Sequence, residues 1–432
     1  MRHLTEVAEI VLTISFIIFF LGPVCSFAQE QDEEYTEYRG QIVEAGSDKP
    51  LALASITLEG SNISTVSNTD GEFLLKIPKT VTSGNIMISF LGYENTTVPI
   101  QRLNREGNEI ELKVSFTKLP GVNVNAPKNA EALVREVLLK RGENYIGDDM
   151  VMTAFYRETI KKRRKNVSLS EAVVNIYKTP YLSNKNDAMK LFKARKSTDY
   201  SKLDTVALKL QGGPFNALYV DIMKYPQFIF IEGKVDEYEF KFERSTYIND
   251  RLIYVINFNQ LPTIRTPLYQ GKLYIDVENK TLKSAVYELN ITNRELAARL
   301  FVRKKPSRVD VWPTEVAYRV DYREKNGKWY YSYSNVLMEF KVDWKGKLFN
   351  STYSMAAEMA VTDWKKNASG DFPKNREKIK KSIILSDENI GFTDPNFWGE
   401  YNIIEPEKSI ESAIRKIQRQ LRRANRNGAA AR

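Results

Sequence analysis

The sequence predicts a mainly β protein: an N-terminal β-sandwich, then a large curved antiparallel sheet with packed helices. Three observations carry this. Between Tyr38 and Leu112 the chain falls into short apolar-rich runs, each closed by turn residues. From about Glu237 to Trp364 apolar and polar residues alternate with period two, and Asn326-Gly327 and Lys345-Gly346 mark hairpin turns. Tyr and Phe number 23 and 21, residue types that pack well on a pleated surface.

Residues 1–28 read as a signal peptide, outside the fold. Ile10 to Leu21 is an apolar run too short to cross a bilayer comfortably, and Ser26-Phe27-Ala28 is a small-x-small cleavage site, so the mature chain is expected to begin at Gln29. Glu6 and Glu9 beside Arg2 keep an uncleaved N-terminal membrane anchor open as an alternative. Cys25 keeps lipid attachment open, although Gly22-Pro23-Val24 matches such processing poorly.

The only His is His3 and the only Cys is Cys25, both within that leader. A mature chain without imidazole or thiol excludes Ser-His-Asp and Cys-His catalysis, His- or Cys-ligated zinc, and structural disulfides. Carboxylates, Lys, Tyr and Ser remain available for chemistry. The formal charge of +10 becomes +11 without the leader, which holds Arg2 against Glu6 and Glu9. Seven of those charges lie in the tail, at Arg415, Lys416, Arg419, Arg422, Arg423, Arg426 and Arg432. For an exported chain this balance favours anionic membrane surface or lipopolysaccharide over nucleic acid, with a solvated helix face as the plainer reading.

Residues 29–37 are an acidic, polar lead-in, and the sandwich is expected over 38–124. Asp70-Gly71 is a tight-turn signal, and Pro50 suits a strand entry, where a missing N–H does no harm. Lys118 to Val124 reads as the last strand, and Asn125-Ala126-Pro127-Lys128 as a linker. Four pieces together resemble the carboxypeptidase regulatory-like domain: Gly40-x-Ile42, the Pro50-Leu51-x-x-Ala54-x-Ile56 strand, the Thr69-Asp70-Gly71-x-Phe73 turn, and the Phe90-Leu91-Gly92-Tyr93 strand. That resemblance implies a transthyretin-like sandwich of the kind found at the N-terminus of exported Bacteroidetes-type envelope proteins. It implies no peptidase activity.

A β-rich domain is expected over 129–404. It opens with a helix over Asn129–Tyr145, whose Ala130, Leu133, Val134, Val137 and Leu138 make one apolar stripe, with Gly142 able to close it. From Met150 the period turns to two. Lys161 to Lys165, five consecutive basic residues, sits where a hairpin tip belongs before the strand Ser170–Tyr177: an exposed solvated turn, or an anion-binding tip. Residues 178–235 carry no clear period; Phe215 to Ile231 reads as a short helix or apolar loop. Glu237 to Trp364 then reads as one antiparallel meander. Gly271 to Asp276, with the turn and strand after it, resembles a hairpin of the periplasmic lipoprotein-carrier folds, half-open barrels wrapped around a helix. Residues 405–432 form a basic helix and tail, with Ile410, Ala413, Ile414, Ile417 and Leu421 on one face. Phe155-Tyr156-Arg157-Glu158, Glu171-Ala172-Val173 and Trp398-x-x-Tyr401-Asn402 resemble exported Bacteroidetes proteins that join a regulatory-like domain to a β-rich one. This implies an address in the periplasm or at the periplasmic face of the outer membrane.

No catalytic, cofactor-binding or metal-ligating residue is assigned. Asp394, Glu400 and Glu405 are close enough in sequence to suggest an acid–base pair, but caps and turns use such residues more often. Asn68 and Asp70 offer too few oxygens for calcium. Trp329, Tyr331, Tyr333 and Trp344 are the candidate binding surface, against cross-strand packing as the plainer role. The leading expectation is a non-enzymatic envelope protein that binds an envelope protein or outer-membrane component, with the sandwich as a docking or spacing module. The alternatives are a carrier of an acyl lipid or apolar peptide in the concave sheet, and a hydrolase using carboxylates alone. No cofactor and no nucleic acid are expected.

Overall fold

The computed structural model describes residues 34–115, 129–163, 165–198, 211–230, 234–243, 245–248, 251–302, 305–385 and 397–407. The first seven strands are β1 (Tyr35–Glu44), β2 (Ser55–Leu58), β3 (Ser64–Val66), β4 (Glu72–Pro78), β5 (Asn85–Ser89), β6 (Thr96–Pro99) and β7 (Asn108–Leu112). They make two sheets, β4-β1-β7 and β3-β2-β5-β6. β1 runs antiparallel to β4 and parallel to β7. Alternate residues of both sheets, among them Ile42, Ile56, Phe73, Leu75, Ile77, Ile86, Ile88 and Ile110, share one buried core.

The Asp70-Gly71 turn is built as the sequence predicts. Asn68 Oδ1 accepts from the backbone N–H of Asp70 and of Glu72. Gly71 sits at φ +74°, and a Cβ there would lie 2.6 Å from the Ile42 carbonyl oxygen. Gly71→Ala is therefore expected to destabilise the chain by about 1–3 kcal/mol, read as a lowered midpoint of chemical denaturation. Two of the expected strands are shorter than the sequence suggests. Pro50 makes only an isolated bridge to Val43, and β2 begins at Ser55. Ser67 explains this: its hydroxyl donates to Leu51 O and accepts from Ala54 N–H, so a side chain satisfies the backbone that a ladder would otherwise serve. β5 ends at Ser89, and Phe90–Tyr93 is a turn with Gly92 at φ +86°. The expected strand at Lys118–Val124 and its linker lie outside the described residues.

Eleven strands follow: β8 (Met150–Lys162), β9 (Lys165–Lys178), β10 (Ala188–Thr198), β11 (Tyr238–Phe242), β12 (Thr246–Ile248), β13 (Arg251–Gln260), β14 (Tyr269–Asp276), β15 (Thr281–Leu289), β16 (Val309–Lys325), β17 (Lys328–Trp344) and β18 (Ser351–Lys366). They form one antiparallel sheet, ordered β10-β9-β8-β18-β17-β16-β15-β14-β13-β11, with β12 also on β13. The meander expected over Glu237 to Trp364 is present as β11–β18, and the earlier hairpins β8–β10 extend the same sheet, joined where β18 returns beside β8. Asn326 and Gly327, at φ +53° and +73°, make the predicted turn between β16 and β17.

The helices are α1 (Ala130–Leu139), α2 (Arg141–Asn144), α3 (Pro214–Leu218) and α4 (Arg294–Phe301). Asn129 Oδ1 caps α1 by accepting from the N–H of Glu131 and Ala132. The expected single helix divides at Lys140, so Gly142 lies inside α2 instead of closing the first helix. α4 has only Ala297 buried and too short a stripe to register as a period.

The inner face of the large sheet packs on α1 and on the apolar segment 211–230, in one core that includes Leu133, Val137, Tyr156, Phe215, Met223, Phe230, Phe258 and Met359. The sheet must curve to do this. Tyr225 accepts from the Asp187 N–H beside β10, whereas Phe230 packs on Phe258 of β13. Five residues of chain span at most about 18 Å, but β10 and β13 would be about 38 Å apart in a flat sheet. Within the segment that lacked a period in sequence, residues 211–230 are therefore an inner plug, packed by their apolar side chains on the concave face among the described residues. The expected C-terminal helix lies outside the described residues.

Candidate anion-binding cleft

Outward-facing positions of a strand alternate with core positions, so β16 sends Val320 and Tyr322 inward and Arg319, Asp321 and Arg323 outward. The sandwich covers this outer face. Between them lies a cavity of about 430 Å³. Leu53, Val66, Phe90 and Leu91 line it from the sandwich, and Lys283, Arg319, Arg323 and Trp329 line it from the sheet.

The charges in this cleft are unevenly matched. Arg319 Nε donates to Asp321 at 2.8 Å, and Arg251 faces Asp276 at 3.3 Å and Glu324 at 3.6 Å. Lys283 and Arg323 have no such partner. Lys283 makes no ion pair or hydrogen bond among the described residues; it stands over the Trp329 ring, 5.7 Å from its centre. Burial pushes its pKa down to about 8, against partial opposing pulls from Asp276 and Glu324, which Arg251 already engages. Arg323 donates to Thr57 Oγ1 at 2.9 Å and stacks over Trp364 at 4.3 Å, while its buried Nε has no partner among the described residues. Burial lowers its pKa to about 9, against a partial opposing pull from Asp363. Both cations are thus desolvated without a full counter-charge, the condition that an incoming anion relieves.

One wall of this region is clamped by the segment 397–407. Trp398, Ile403 and Ile404 share a small core with Val66 and Leu74 of the sandwich and with Phe155, Val173 and Tyr333 of the sheet. Asn402 pairs with both backbone groups of Lys76, Thr65 Oγ1 donates to Ile403 O, and Arg157 donates to Ile404 O. Behind it, buried Glu171 accepts from Arg157 Nε at 2.8 Å and from Arg195 Nε at 2.7 Å. Burial alone would raise the Glu171 pKa, but the two guanidiniums outweigh this and hold it below the usual carboxylate value. The three sequence pieces around Phe155, Glu171 and Trp398 therefore meet in space, as a joint between the two sheets.

The other candidates named from sequence scatter. Tyr331 lies in the inner core, its hydroxyl 2.6 Å from Ser334 Oγ. Tyr333 faces outward, buried, and with Trp329 it borders the cleft. Trp344 lies at the far end of β17, opposite Val309. Glu405 pairs with Arg39, Glu400 is exposed, and Asp394 lies outside the described residues. Of the Lys161–Lys165 run, the described residues Lys161, Lys162, Arg163 and Lys165 lie at the tip of the β8–β9 hairpin, where Lys162 pairs with Lys165. Lys283, Arg319 and Arg323 were not singled out in sequence. The available signal was Arg319-x-Asp321-x-Arg323, charges at alternate positions of a strand whose other face is apolar.

The sandwich at the edge of this cleft answers to a known family. Residues 38–126 match the CarboxypepD_reg-like domain model. No curated protein matches the chain. Among solved structures, the chain is similar to a putative outer membrane lipoprotein-sorting protein domain from Vibrio parahaemolyticus, at 10% identity and a TM-score of 0.24, over 56% of this chain and 94% of that one. It is also similar to a LolA superfamily protein from Nitrosomonas europaea, at 11% identity and a TM-score of 0.22, over 58% of this chain and 98% of that one. A DUF1329 family protein from Desulfovibrio piger stands at 8% identity and a TM-score of 0.24, over 56% and 96%. Among the described residues, no helix is long and apolar enough to cross a membrane.

Proposed function

We propose that this chain is a non-enzymatic binding component of the cell envelope, holding an anionic, partly apolar ligand between its CarboxypepD_reg-like domain and the outer face of the large sheet. The observation that carries this reading is the pairing of Lys283 and Arg323, two cations short of counter-charge, in a cavity whose other wall is mostly apolar, with Ser55, Thr57 and Ser89 among Leu53, Val66, Met87, Phe90 and Leu91. Its volume of about 430 Å³ suits a small amphiphile or a short acidic peptide segment. The two acids of the cleft speak against acid–base chemistry there, because Asp321 is taken by Arg319 and Glu324 by Arg251. The packing of residues 211–230 on the inner face, among the described residues, speaks for the cleft over the concavity as the place of binding.

Laurate serves as the probe, since it joins one carboxylate to an apolar chain. Isothermal titration of the full chain is expected to show one site, with Lys283→Ala weakening it by about tenfold or more and inorganic phosphate binding less well than laurate. Absence of laurate binding, or equal affinity in the Lys283→Ala protein, would overturn the proposal.

A further inference from the structure

The end of the large sheet away from the Asn326-Gly327 turn carries a second feature, independent of the cleft. The β17–β18 tip presents Leu348 and Phe349 to solvent, at 94% and 79% exposure. Folding gives no reason for an apolar pair there, since turn positions are ordinarily polar. The tip lies beside the basic tip of β8–β9: Arg163 N–H donates to Thr352 O at 2.8 Å, and Lys162, Arg163, Lys165, Lys347, Leu348 and Phe349 line one open depression. Exposed Lys345 belongs to the same end, and its N–H donates to the carbonyl of exposed Arg308. The acids nearby are fewer and partly engaged: Asp310 pairs with Lys305 at 2.9 Å, Glu407 with Lys161 at 3.8 Å, and Asp343 opposes Asp310 across the ladder.

We infer that these two hairpin tips form a peripheral docking surface for an anionic lipid bilayer. Leu348 and Phe349 enter the headgroup–acyl boundary, and the surrounding lysines and arginines meet lipid phosphates. Aliphatic and aromatic side chains ringed by basic residues fit that boundary, where one side is apolar and the other is negatively charged. A protein partner of matching acidity is the competing occupant; the bilayer is favoured because the apolar pair stands almost wholly in solvent at a hairpin tip, and the depression it lines is open and ringed by lysines and arginines.

The test is co-sedimentation of the full chain with phosphatidylcholine vesicles that contain or lack phosphatidylglycerol. Binding is expected only with phosphatidylglycerol and should weaken as salt rises. Leu348→Ser with Phe349→Ser, and separately Lys162→Glu with Lys165→Glu and Lys347→Glu, should each reduce the vesicle-bound to free ratio by about tenfold or more. All five positions lie at the surface end of hairpins, and unchanged circular dichroism checks that the variants remain folded. The C-terminal basic tail is identical in every variant, so a tail-only attachment leaves both sets at wild-type binding. That result, or no binding of the wild type to phosphatidylglycerol vesicles, would overturn the inference.

Discussion

Lys178→Met is expected to lower the free energy of unfolding by about 3–5 kcal/mol, seen as a shift in the urea midpoint. The Lys178 ammonium is fully buried between the carboxylates of Asp187 and Asp221, 2.7 Å from each. The rings of Tyr181, Tyr225 and Tyr331 surround it. The remaining carboxylate lone pairs are also used: Thr179 donates to Asp187, and Tyr322 donates to Asp221 at 2.8 Å. Removing the cation leaves two buried anions facing each other in a low-dielectric core, a penalty larger than the lost attraction alone. Adding Asp187→Asn and Asp221→Asn to Lys178→Met should therefore recover part of the loss, which a simple cavity effect would not do. Burial opposes the charge on Lys178, but the two aspartates prevail and keep its pKa above the ordinary lysine value. A base held up in the folded state stabilises fully below its unfolded pKa and loses that contribution as pH rises through the folded one. The effect of the single substitution should accordingly be full at neutral pH and shrink only in strong alkali. The triad ties the 179–187 loop and the 211–230 plug to β9, so local loosening of the plug should accompany the loss.

Glu171→Ala is expected to destabilise by a similar amount, about 3–5 kcal/mol, with a different footprint. Glu171 holds Arg157 and Arg195 together, and Arg157 holds the carbonyl of Ile404. Glu358 lies 3.3 Å from Arg157, and the Arg195 guanidinium stacks on Trp398 at 4.9 Å. Truncation leaves two guanidiniums competing for one carboxylate at the joint between the sheets. Hydrogen exchange should rise in 397–407 and in the adjoining part of β9, with β13–β15 unchanged; uniform acceleration across the sheet would show that the joint is not a distinct unit. Because the folded pKa of Glu171 is lowered, its contribution is present above the unfolded value and is lost as pH falls through the folded one. The wild-type joint should therefore loosen in acid, and the alanine variant should lack that transition.

These two buried charge clusters were the part of the molecule least legible in the sequence. Asp221 lies 43 residues from Lys178, and with Asp187 all three belong to a stretch with no period, so only the folded chain brings them together. The sandwich was the most legible part, because its turns are local: Asn68, Asp70 and Gly71 specify their geometry within a few residues. Its strand ends were less so, since the Ser67 hydroxyl, distant from Leu51 in sequence, decides where β2 starts. The hairpins of β13–β18 followed from alternation and from Asn326-Gly327. The return of β18 beside β8 did not, because period two fixes which face a residue occupies and not which strand lies alongside. The cleft was half legible. Its charged ladder stands in the sequence at Arg319, Asp321 and Arg323, but the sandwich residues that cover it share no pattern with them.

Calorimetric titration of the full chain with laurate at pH 7 and at pH 9.5 tests the cleft most directly. Lys283, with its pKa at about 8, is charged at the lower pH and largely neutral at the higher one, whereas laurate is ionised at both. Binding through Lys283 predicts an affinity about tenfold lower at pH 9.5, and a Lys283→Ala protein whose weaker affinity falls less between the two, through Arg323 alone. Equal laurate affinity at the two pH values in the wild type would contradict the assignment of this cleft as an anion site.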